Sequence, residues 1–174
     1  MQKFPAIAAL CILCSGHLFA SDSTAPLTIE MSDPEVRITV PGMHDIDMEI
    51  HPENEEKPAF RLSGSLGMKS VSVTTPRIQE DVSPMNCAIS VANVLLARSP
   101  VTREQMFLGR SNEHTFLIIY GVPLDESVLL NTHIVSADGA TRCIEVHVSK
   151  ISTSDADIEP WFNGFGTSNI ETLN

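Results

Sequence analysis

Basic residues are scarce in this chain: 11 Lys and Arg stand against 22 Asp and Glu, a formal net charge of −11. That shortage disfavours nucleic acid and anionic membrane as partners, because like charges repel on approach, and it favours a basic protein. Aromatics are few as well, at 5%, with one Trp and one Tyr. After residue 20 no apolar run approaches the ~20 residues that span a bilayer, so no later membrane segment is expected. The sequence holds no internal repeat, no low-complexity tract and no motif specific for a catalytic centre or cofactor. The expectation is therefore a domain without catalytic residues, cofactor or metal.

What is present begins with Met1 to Ala20, which reads as a secretory signal peptide. Lys3 supplies the positive start, Phe4 to Cys14 the apolar run, and Leu18-Phe19-Ala20 the small residue at a cleavage site. Neither Cys11 nor Cys14 follows the small residue that lipoprotein processing needs. The short, bacterial style of the segment points to the periplasm. Removing Lys3 makes the mature chain more acidic still. Of the 4 cysteines, only Cys87 and Cys143 survive cleavage, and in an oxidising compartment they are expected to pair. The long loop so closed is worth about 3–4 kcal/mol in chain entropy.

The remainder is long enough for one domain, residues 21–151, followed by a polar tail, 152–174. From Leu27 to Val73, short runs alternate apolar and polar residues: Val36, Ile38 and Val40; Ile46, Met48 and Ile50; Phe60 and Leu62; Val71 and Val73. Such period-two runs are strands of a half-solvated antiparallel sheet. Pro41-Gly42 and the charged stretch 51–58 divide them. Ser83-Pro84 then offers a helix start, the hydroxyl capping and the proline at the first turn. The Ala- and Leu-rich stretch from Met85 to Arg98 places Cys87, Val91, Val94 and Leu95 on one face; a buried strand through 88–97 is the alternative. A loop from Thr102 to Glu113 precedes a two-faced apolar strand, Thr115 to Val122. Asp138-Gly139 joins Val128–Ser136 to Thr141–Ile151 as a hairpin. The fold class expected is mainly β (α+β): an antiparallel sheet or sandwich, one helix packed on it, and a disulfide between the layers.

Three functional readings follow. Cys87 at a helix start, then His114 opening the strand His114-Thr115-Phe116-Leu117-Ile118-Ile119-Tyr120-Gly121, resembles the papain-like cell-wall peptidases. That resemblance implies a cysteine hydrolase with Cys87 as nucleophile and His114 or His133 as base, although Met85-Asn86-Cys87-Ala88 replaces the family's cysteine motif. Met43, His44, Met48 and His51 carry soft ligands of the kind copper takes, but alternation sends Met48 to the core and sets the histidines at opposite strand ends. The reading preferred is a non-enzymatic inhibitor or immunity-type protein that blocks a basic partner such as a cell-wall hydrolase. Its contact residues are expected in the loop, at Phe107, Leu108, Arg110, Ser111 and Asn112, and in the aromatic tail, at Trp161 and Phe162. Protein recovered after export is predicted to start at Ser21, which its intact mass tests; a mass that retains residues 1–20 refutes cleavage.

Overall fold

A computed structural model describes residues 25–51, 60–77 and 82–173. The expected signal peptide, Met1 to Ala20, and most of the charged stretch 51–58 lie outside the described residues. Among the described residues, ten strands and two helices are arranged in three layers. The middle layer is a seven-stranded antiparallel sheet, in the order β3 (Glu49–Ile50), β4 (Phe60–Leu66), β5 (Lys69–Thr74), β9 (Cys143–Ser152), β8 (Val128–Ala137), β7 (Phe116–Pro123) and β6 (Phe107–Arg110). Against one face packs a three-stranded sheet, β1 (Leu27–Ser32), β2 (Glu35–Val40) and β10 (Asn169–Thr172), in which β2 is central. Helix α1 (Pro84–Arg98) covers the other face over β7 and β8.

Alternation decides which face each strand shows. Ile144, Val146 and Val148 join Val36, Ile38 and Val40 in the core between the sheets, together with Val71, Val73, Leu117, Ile119, Leu130 and Ile134. Phe116, Ile118, Tyr120, Val135 and Ala137 face α1 instead. Ser83 caps the helix by accepting from the Asn86 N–H, and Pro84 occupies the first turn. Its buried stripe is Cys87, Ala88 and Val91, with Leu95 half-buried and Val94 exposed. Val94 misses the core because it lies at the margin of a stripe centred on Ala88, Val91 and Leu95. Cys87 and Cys143 form a disulfide, Cα atoms 5.5 Å apart, that ties α1 to the start of β9.

Three expectations are corrected by packing. Residues 46–50 do not form a full strand: Asp45 adopts φ 62°, the segment crosses β4 at Gly64, and only Glu49–Ile50 pairs. A Cβ on Gly64 would press into the Asp47 carbonyl and Ile46, so the crossing requires glycine there. Ile46 is buried, whereas Ile50 is 77% exposed. The stretch 102–113 is not a simple loop, since it holds a 3-10 turn, Arg103–Gln105, and strand β6. Residues 152–173, expected as a polar tail, hold structure as well. After a second 3-10 turn and helix α2 (Ile158–Gly164), they deliver β10 to β2, pairing Ile170 with Ile38.

Removing both cysteines, as Cys87→Ala with Cys143→Ala, is predicted to cost about 3–4 kcal/mol of unfolding free energy in urea denaturation. A loss below about 1 kcal/mol would show that the bond constrains little of the unfolded chain.

Candidate functional site

Strand β6 is the terminal strand of the seven-stranded sheet and pairs only with β7 among the described residues. Its sequence, Phe107-Leu108-Gly109-Arg110, carries two large apolar side chains with much of their surface in solvent, Phe107 at 56% and Leu108 at 47%. Phe107 lies opposite Ile119 and Leu108 opposite Ile118, so the first stands on the inter-sheet side and the second on the helix side. The Phe107 ring folds over Gly109, whose missing Cβ leaves room for it. The Arg110 guanidinium sits 4.6 Å above the Phe116 ring, which fixes its direction while leaving the residue exposed.

The ends of β6 are tied down. The Thr102 N–H donates to the Gln105 side chain at 2.9 Å before the strand. After it, the Ser111 hydroxyl donates to the Ser168 carbonyl at 2.7 Å, and the Asn112 amide donates to Asn169 Oδ1 at 2.8 Å. Ser111 and Asn112, expected as contact residues, thus work as tethers between β6 and the segment entering β10. Trp161, also expected at the surface, is only 9% exposed and meets the Phe165 ring edge-on at 4.9 Å. Phe162 is half-buried against the same core. Aromatic area of this size is driven inward when a helix can lay it on a sheet, which is what α2 does. Phe107, Leu108 and Arg110 are the residues of the expected set that the fold brings together at the surface.

A second cluster was not foreseen. On the helix side of β7, β8 and β9, the rings of Tyr120, His133 and His147 stack across adjacent strands, with His133 and His147 centroids 4.4 Å apart. His133 Nδ1 lies 2.7 Å from Glu145 Oε1, and His133 Nε2 lies 3.2 Å from the Tyr120 hydroxyl. The Thr74 hydroxyl donates to the other Glu145 oxygen, and His147 Nε2 bonds Asn131 Oδ1 at 3.0 Å. An amide oxygen only accepts, so His147 carries its proton on Nε2. Burial lowers the His147 pKa to about 4, helped by the charge of His133 and opposed by Glu145. Burial pushes Glu145 upward, but the hydrogen bond and charge of His133, with His147 and Thr74, outweigh it and hold the carboxyl below its usual value. Burial and then Glu145 raise the Tyr120 pKa, so the phenol keeps its proton.

Carboxylate, imidazole and hydroxyl in a row have the order of a nucleophile relay, but here the hydroxyl is a buried, protonated phenol and His133 is only 4% exposed. Cys87, the nucleophile implied by the peptidase resemblance, has its sulfur in the disulfide, while His114 is exposed on the rim of a cavity of about 670 Å³ between α1 and β10. As for copper, Met43 is buried in the inter-sheet core, and the His51 ring bonds the Ser63 hydroxyl at 2.9 Å. Met43 and His51 thus have different neighbours.

The cluster makes stability depend on pH. Unfolded His147 binds a proton near 6.5 and folded His147 only near 4, so its neutral form stabilises the fold above pH 6.5 and that contribution is lost as pH falls toward 4. Glu145, held below 4.5, adds a loss in the same direction at lower pH. The melting temperature is predicted to fall from pH 7 to pH 4, and less steeply in His147→Gln, whose amide preserves the bond to Asn131. Equal slopes for both proteins would refute this assignment.

No protein-family model matches this sequence, and a search of curated proteins returns no match.

Proposed function

We propose that this is an exported, non-enzymatic binding protein of the inhibitor or immunity type, which blocks a basic protein such as a cell-wall hydrolase by contact through β6. The observation that carries this reading is the pair Phe107 and Leu108, both about half exposed on the terminal strand of the sheet. Terminal strands of folded proteins are ordinarily blunted by charge or brevity, because an apolar edge invites association. An apolar edge with an oriented arginine beside it has the composition of an interface anchor. The tethers from Ser111 and Asn112 support the reading too, since a contact strand already held in place loses little freedom on binding. The net charge of −11 favours a basic partner and speeds its approach.

Affinity capture from a cell-envelope extract, run in parallel with the wild-type chain, Phe107→Ala and Leu108→Ala, tests the proposal. A specific basic protein should be retained by the wild type and weakened by about 2 kcal/mol in each variant, with melting temperatures close to wild type. Raised salt should slow its association. Capture that neither substitution alters would remove β6 as the contact.

A further inference from the structure

Phe107 and Leu108 are neighbours in sequence and stand on opposite faces of the sheet. A partner laid on one face would bury one of them and leave the other in water. An occupant that continues the sheet sideways meets both at once, because each of its residues stands beside a β6 residue on the same face. The backbone is set for this. The Ser111 N–H donates to the Thr115 carbonyl, so in antiparallel register the ladder bonds to β7 fall on Ser111, Gly109 and Phe107. The N–H and C=O groups of Leu108 and Arg110 therefore point away from β7, toward the open side.

We propose that β6 is a strand-addition edge: an extended segment of a basic partner protein pairs with its outer side, setting one apolar side chain beside Phe107 and another beside Leu108. This deepens the binding-protein reading and rests on it. The other sheet edges fit the role less well. Among the described residues, strand β3 has two paired residues, one of them Glu49; β1 presents Thr28, Glu30 and Ser32 outward; β10 ends in exposed Glu171 and Thr172. A second copy of the chain is a poorer occupant than a basic partner, because two molecules of net charge −11 repel. The segment that fits carries apolar residues at two successive positions, not at alternate ones, and supplies donors and acceptors from its own backbone.

The test uses the full mature chain, isotope-labelled, and a phage-displayed library of random linear peptides as the probe. Peptides selected on the wild type should be enriched in adjacent apolar residues and should slow amide exchange of Leu108 and Arg110 by about tenfold or more, with Gly109 little changed. Leu108→Pro, which deletes one outward N–H where an edge strand tolerates proline, should weaken those peptides well beyond Leu108→Ala, which keeps it. If Leu108→Pro does not fold, the exchange measurement on the wild type decides alone. Peptides that bind while both amides exchange at their free rates overturn strand addition, as does a library from which none is retained. A dimer in light scattering with Leu108 and Arg110 already protected also overturns it, by assigning the edge to a second copy. Envelope capture lost in Phe107→Ala but without amide protection leaves the binding reading standing and removes only strand addition.

Discussion

Everything in this structure depends on the need to cover both faces of β7, β8 and β9. Strand β8 is buried from Leu130 to Ala137 without a break, which no single-layer partner can achieve. One side of these strands needs the β1, β2 and β10 sheet; the other needs α1. Burial of some thirty apolar side chains on two faces is worth far more than any surface ion pair in the molecule. The disulfide joins the helix layer to the end of β9 nearest it and so holds the least extensive of the two interfaces.

Burial on the helix side is not purely apolar, and that explains the ring stack. The same face of β8 and β9 also carries Asn131 and His133, both buried, and Glu145 and His147, both half-buried. A buried or half-buried polar group must find partners or cost more than it contributes. His133 finds Glu145 and Tyr120, and His147 finds Asn131, so the polar part of this face is closed by hydrogen bonds. The β6 edge is the opposite case: apolar groups left wet, on a strand tied down at its end through Ser111 and Asn112.

Much of the fold is legible in the sequence because alternation and turn chemistry are local. Val36, Ile38 and Val40, the Ser83-Pro84 start and the Asp138-Gly139 turn can each be read from a few neighbouring residues, and the Cys87–Cys143 pair, though 56 residues apart, from there being two cysteines left to pair. What could not be read is non-local. The register that sets His133 opposite His147 is a property of two strands, so a search along β9 alone finds Glu145 and His147 without their partner. Trp161 reads as a surface aromatic until α2 is placed on the sheet. Ile50 has the alternation of a core residue, yet the crossing at Gly64 cuts its strand short. The β6 anchors were legible by residue type; that they stand on opposite faces was not.

The position of β2 has a consequence for how the molecule is made. Its neighbours are β1, almost the first described residues, and β10, almost the last. During synthesis the β1–β2 hairpin emerges with one edge of β2 open, and that edge is not paired until β10, ending at Thr172, has left the ribosome. Long-range closure of this sort is slow. A nascent chain of this topology cannot complete its smaller sheet until nearly all of its described residues have been made.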